Sequence, residues 1–192
     1  MFYGGLPIKP FVLNNPYGPV AGAGGYPVGG YPAGGYPAGG YPAGGAMMFS
    51  DFNKFLSDLA TAINDEYEAA KFYTELAAIA PCEEARDFIL HARDDEKKHY
   101  SMFCRLYLEL TGRQPVVSEP NIQMPAFCTG VMKSVKDELE AAEMYREMLL
   151  ATTSMRVRDI MFVAMTDEME HATRFTFVYS MADCHVDECE AD

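Results

Sequence analysis

From Phe52 the apolar residues fall into a helical rhythm. Phe52, Phe55, Leu56, Leu59, Ile63, Ala70 and Tyr73 approximate one stripe at helical spacing. The stripe predicts a first helix over residues 51–80. Pro81 fits the first turn of a second helix, and Glu83 and Glu84 stand where the partial positive charge of a helix N-terminus favours them. That helix is expected to reach Thr111, with Gly112 as its stop. Residues 113–125 carry three prolines and read as a connection. At about 3.3 Å per extended residue it spans about 40 Å, the length of a helix of about 27 residues. A short loop would make the second and third helices antiparallel, whereas this one can cross the bundle end to end and leave them parallel. A third helix is expected over 126–151. Thr152, Thr153 and Ser154 supply a tight break and an N-cap, and a fourth helix runs to Ala182. The expectation is an all-α fold, a four-helix bundle running up-down-down-up.

The chain outside those helices has a different composition. Residues 1–46 hold Tyr26-Pro-Val-Gly-Gly followed by three copies of Tyr-Pro-Ala-Gly-Gly, starting at Tyr31, Tyr36 and Tyr41. A proline and two glycines in every five residues sustain neither a helix interior nor a central strand. Turns or extended polyproline-like chain suit such a segment. It reads either as a linker or tail, or as an arm whose regularly spaced tyrosines associate with a partner or with other copies. Residues 183–192 form an acidic tail. The bundle is therefore assigned to 47–182, flanked by the arm at 1–46 and the tail.

The bundle is written twice. Glu96-Lys97-Lys98-His99 and Glu168-Met169-Glu170-His171 lie 72 residues apart, and the upstream glutamates Glu66 and Glu138 share that offset. So do Asp65/Asp137, Glu68/Glu140, Ala69/Ala141, Ala70/Ala142, Tyr73/Tyr145, Glu75/Glu147, Arg86/Arg158, Asp87/Asp159, Ala92/Ala164, Asp95/Asp167 and Phe103/Phe175. One helix pair has been duplicated, and its duplicated part carries four carboxylates and two imidazoles. In Glu-x-x-His the two side chains stand about 60° apart on one helix face, so both can meet the same metal pair. A Glu from each of two helices plus Glu-x-x-His from each of the other two is the inventory of a two-metal site in a four-helix bundle. Inward carboxylates without a metal would crowd like charges into a low-dielectric core. The candidate metal ligands are Glu66, Glu96, His99, Glu138, Glu168 and His171. Tyr73 and Tyr145 follow Glu66 and Glu138 by two turns, where each phenol can support a ligand carboxylate of its own helix or a neighbour's. A shifted register, Asp137 with Glu140, is the alternative to Glu138. His91 falls off the ligand positions.

Glu66-x-x-Ala69-x-x-Phe72-Tyr73 with Glu96-x-x-His99, and Glu138-x-x-Ala141-x-x-Met144-Tyr145 with Glu168-x-x-His171, resemble the ferritin-like di-iron carboxylate proteins, and among them the rubrerythrins. The resemblance covers about residues 50–182. It implies a ferritin-like bundle with two iron ions per chain, or manganese in their place. It also implies bridging by Glu96 and Glu168 and terminal ligation by Glu66, Glu138, His99 and His171. Many rubrerythrins add a rubredoxin domain with two Cys-x-x-Cys pairs, which this sequence lacks. An external electron donor is therefore expected. They also place a further Glu where this chain has Ala141, which implies a more symmetric site here.

The remaining composition narrows the function. The chain has 192 residues, of which 49% are hydrophobic, and a net charge of −13 from 28 acidic against 15 basic residues. That balance disfavours nucleic acid as a partner. Cys82, Cys104, Cys128, Cys184 and Cys189 form no Cys-x-x-Cys pair, and their odd number fits buried thiols in a reducing compartment rather than a disulfide framework. Cys184, His185 and Cys189 fall in the tail. No secretory pattern and no run of about 18 apolar residues is visible, so a cytoplasmic protein that does not span a membrane is expected. The leading functional expectation is a di-iron oxidoreductase that reduces peroxide or dioxygen. The alternatives are a ferroxidase or iron store, and a building block of an assembled layer such as a spore coat. A homo-oligomer is expected, with higher-order assembly through residues 1–46 in the last case.

Overall fold

A computed structural model of the protein describes residues 48–184. The repeat arm at 1–46 and residues 185–192 of the tail lie outside the described residues. Four helices carry the fold: α1 (Phe52–Ala78), α2 (Glu83–Thr111), α3 (Phe127–Leu150) and α4 (Met155–Met181). Their ends are chemical. Asp51 caps α1 by accepting from the Lys54 amide at 3.0 Å. Ser154 caps α4 through the Val157 amide. Gly112 ends α2 in the left-handed conformation, φ 71°, which glycine adopts without a Cβ clash. Pro81 corrects the sequence expectation. It precedes α2 instead of entering its first turn, and extended Cys82 takes the N-cap position. The chain must reverse between Ala78 and Glu83, and a helical Pro81 would leave too little of that segment for the turn.

Two apolar clusters fix the topology. One joins Phe55, Leu59 and Ile63 near the start of α1 with Phe103 and Leu106 late in α2, Tyr145 and Met148 late in α3, and Val157 and Met161 early in α4. The other joins Phe72 and Leu76 late in α1 with Ala85 and Ile89 early in α2, Val131 early in α3, and Phe175 and Val178 late in α4. The start of α3 thus lies at the same end as the start of α2, and the helices run up-down-down-up. Gly130 permits that join, because a Cβ there would stand 2.8 Å from Leu76 Cδ1.

The connection after Gly112 runs along α1 and is tied to it. Asn64 donates to the Val116 carbonyl and accepts from the Ser118 amide at 2.9 Å. Tyr67 donates to Glu119 at 3.0 Å, and Lys71 pairs with the same carboxylate. At the end of the bundle where α2 stops, Phe49 bridges to Thr152, so the residues preceding α1 are stitched to the α3–α4 turn.

The cysteines correct a second expectation. Cys128, in the first turn of α3, and Cys184, just beyond α4, form a disulfide with Cα atoms 5.4 Å apart. Cys184 is buried and its amide donates to the Tyr179 carbonyl. The ordered fold therefore extends two residues past Ala182. These cysteines are 56 residues apart in sequence, and only the antiparallel packing of α3 on α4 brings them together. No helix among the described residues is long and apolar enough to cross a membrane.

Candidate metal centre

Between the two apolar clusters the inward positions of all four helices turn ionisable. Glu66 (α1), Glu96 and His99 (α2), Glu138 (α3), and Glu168 and His171 (α4) are each at most 3% exposed. By contrast, Asp137 and Glu140 face outward, and Asp137 pairs with Lys133. The geometry therefore selects Glu138 over the shifted register as the residue turned to the centre.

The six side chains form two overlapping groups. One is Glu66, Glu96, His99 and Glu168, and the other is Glu96, Glu138, Glu168 and His171. Within each group one ligand-type atom per residue lies within 4.8 Å of the rest. Glu96 and Glu168 belong to both. Glu96 sets Oε2 at 3.4 Å from His99 Nδ1 and Oε1 at 3.1 Å from His171 Nδ1. Glu168 sets Oε1 at 3.1 Å from His99 Nδ1 and Oε2 at 3.1 Å from His171 Nδ1. Glu66 Oε2 lies 3.7 Å from His99 Nδ1, and Glu138 Oε2 lies 3.6 Å from His171 Nδ1. A pseudo-twofold relates the two halves, as the 72-residue repeat requires.

The supports cross between helices. Tyr73 of α1 donates to Glu138 of α3 at 2.5 Å, and Tyr145 of α3 donates to Glu66 of α1. Each phenol thus serves the neighbour's carboxylate rather than its own helix's. The imidazoles are crossed in the same way. His99 Nε2 donates to Asp167 Oδ2 of α4 at 3.1 Å, and His171 Nε2 donates to Asp95 Oδ2 of α2 at 3.3 Å. Such a bond fixes the ring and leaves Nδ1 facing the centre. Helical spacing alone does not assign Asp95 and Asp167 to the site, although each immediately precedes the Glu of a Glu-x-x-His and the pair shares the 72-residue offset.

Ionisation follows from this packing. Burial, reinforced by the charges of Glu96 and Glu168, pushes Glu66 well above the usual carboxylate range. Burial and then Glu96 do the same to Glu138. Burial acts upward on Glu96 and Glu168, and the Glu168 charge adds to it for Glu96, but the close approach of the His171 and His99 rings outweighs both and holds the two carboxyls below the ordinary range. For the histidines burial opposes the charge. The surrounding carboxylates overcome it, Glu66 foremost for His99 and Asp95 foremost for His171, and keep both imidazoles protonated well above their ordinary range. Both tyrosines are pushed up, by burial first and by Glu138 or Glu66 next, so they remain hydrogen-bond donors.

Burial thus favours the neutral forms of Glu66 and Glu138, while Glu96 and Glu168 face the imidazoles of His99 and His171. Two divalent cations would balance the charge of the four carboxylates. Exchange of protons for cations is the usual linkage at a buried metal site. The residues fit such a group on a second ground. Glu96 Oε1, His99 Nδ1 and Glu168 Oε1 are buried without a hydrogen bond, although His99 Nδ1 and Glu168 Oε1 lie only 3.1 Å apart. Close approach without hydrogen-bond geometry is what atoms converging on a common ion show. The donor set of carboxylates and imidazoles suits iron or manganese.

The chain resembles known proteins. The Rubrerythrin family model matches residues 58–179. A Bacillus subtilis (strain 168) protein described as uncharacterized, YhjR, is 30% identical over 122 residues, covering 64% of this chain and 84% of its own. Nigerythrin, solved in a partially reduced state, superposes with a TM-score of 0.58 at 19% identity over 69% of each chain. A hypothetical protein from Pyrococcus furiosus gives a TM-score of 0.60 at 23% identity, over 66% of this chain and 89% of its own. At these identities the two solved structures speak for the fold alone.

Proposed function

The chain belongs to the rubrerythrin family, and from that premise we propose that its Glu/His cluster holds two iron ions and reduces peroxide or dioxygen. The observation that carries the reading is the doubled ligand set, with Glu96 and Glu168 each facing both histidines. When bound, a pair of redox-active ions supplies two electrons to an O–O bond. The protein's own groups do the rest. The apolar clusters above and below the site exclude water, which strengthens every electrostatic interaction inside. Burial raises the proton affinity of Glu66 and Glu138, and Tyr73 and Tyr145 keep those two carboxyl groups oriented. Hydrogen peroxide needs two electrons and two protons to become two waters, so an external donor must restore the electrons after each turnover.

Metal analysis of the purified protein, followed by anaerobic reduction and mixing with peroxide, tests the reading. Two iron ions per chain and one peroxide consumed per metal pair are expected, with activity restored on re-reduction. Manganese in the same ratio would change the metal and not the site. Oxidation of many Fe(II) per chain would point to iron storage. A metal-loaded protein that consumes neither peroxide nor dioxygen would overturn the oxidoreductase reading.

A second reading concerns residues 1–46, and the observation favouring it is the run of Tyr-Pro steps at five-residue spacing. Prolines lower the entropy lost on ordering, and tyrosine rings bury large area, so such an arm suits association between copies. A chain starting at Met47 is expected to bind metal as before but to form smaller assemblies by light scattering. Equal assembly in both forms would reduce the arm to a linker.

A further inference from the structure

The duplication is broken at one place beside the centre, and we infer that this makes the two halves of the metal site unequal. The half built by Glu138 and His171 binds its ion first and more tightly, because Asp95 behind His171 is itself anchored. The half built by Glu66 and His99 fills second. This rests on the metal reading above.

Asp95 and Asp167 occupy equivalent positions in the repeat and make equivalent bonds to His171 and His99. Their surroundings differ. Asp95 also accepts from Lys98 Nζ at 2.6 Å and lies 3.2 Å from His91 Nε2, so three groups from two helices hold it. Among the described residues, Asp167 bonds His99 alone. Its side chain is 34% exposed, against 14% for Asp95. The cause lies in the sequence. At the 72-residue offset His91 is replaced by Val163, and Lys98 by Glu170. Where Asp95 has a cation one turn along its helix, Asp167 has another carboxylate.

A carboxylate held from several sides fixes the imidazole it supports, and removal of such support typically lowers metal affinity 10–100-fold. A second effect acts the other way. Lys98 places positive charge on the His171 side, where Glu170, with Oε1 3.9 Å from His91 Nε2, partly offsets it. Both are largely in solvent, and Glu170 is paired with Arg174. Exposed charges of this kind are screened within about 10 Å. Ring orientation acts in direct contact with the ligand atom and dominates.

Crystals of the metal-free chain loaded with one equivalent of Co(II) test the inference by position. Anomalous scattering at the cobalt edge is expected to place most of the ion beside Glu138 and His171, with an occupancy ratio of about 10 or more. His91→Val, which copies the mate, should move the ratio towards one, and His91→Val with Lys98→Glu should move it further. Val163→His provides an independent arm, since it should raise occupancy beside Glu66 and His99 without touching Asp95. Equal occupancy in the unaltered chain, or preference for the His99 position, would overturn the inequality and leave the metal reading intact. Cobalt at neither position would overturn both.

Discussion

Replacing Glu66 and Glu138 together by glutamine is expected to abolish the metal-dependent part of stability while leaving the metal-free fold almost unchanged. Burial and the neighbouring charges hold the pKa values of both carboxyls well up in the metal-free protein, which favours their neutral forms. Glutamine keeps their shape and neutrality, and its carbonyl still accepts from Tyr145 or Tyr73. The metal-free stability should shift by less than about 1 kcal/mol, as for a near-isosteric neutral exchange. With metal the outcome differs. An ion at about 1,000 times its Kd stabilises the fold by about 4 kcal/mol, so two ions contribute about 8 kcal/mol that the variant lacks. Glu96→Ala with Glu168→Ala should lose the same metal-dependent part and weaken the metal-free fold as well. It strips His99 and His171 of the carboxylates that balance them, and breaking a buried ion pair costs about 3–5 kcal/mol. Denaturant unfolding with and without metal separates the two variants. Full metal-dependent stabilisation in either one would remove these residues from the ligand set.

The sequence was most legible where the chain repeats itself. Four helices and the six inward ionisable residues could be read because helical spacing and the 72-residue offset agree at Glu66/Glu138, Glu96/Glu168 and His99/His171. The long proline-bearing connection implied parallel α2 and α3, and the two apolar clusters bear this out. What escaped was decided between helices. Asp95 and Asp167 look like any surface acids until α2 and α4 are packed, when each meets the other helix's histidine. Which carboxylate a tyrosine serves is likewise set by the α1–α3 seam, so spacing left that question open for Tyr73 and Tyr145. Pro81 stands before α2 and not in its first turn, because its fixed φ suits a turn as well as a helix start. The helical rhythm says nothing about where the chain must reverse.

Reducing the Cys128–Cys184 bond should lower stability by about 4 kcal/mol, the loss of chain-entropy restraint for a loop of this length. The sequence offered no hint of it, since neither cysteine has a close partner along the chain. The bond ties the first turn of α3 to the residues beyond α4, at the bundle end where Val131, Phe175 and Val178 pack. Those side chains belong to the cluster that includes Tyr73, whose hydroxyl holds Glu138. Loosening that end should therefore reach the metal centre from the α3 side. In the Cys128→Ser, Cys184→Ser variant the unfolding midpoint in denaturant is expected to fall with the slope little changed. Amide exchange should quicken first near residues 127–131 and 178–184. The free thiols at Cys82 and Cys104 remain in that variant and serve as internal controls for reductant effects. If the double serine variant unfolds at the same denaturant concentration as the oxidised parent, the bond contributes nothing to holding α3 on α4, and the packing of the two helices suffices alone.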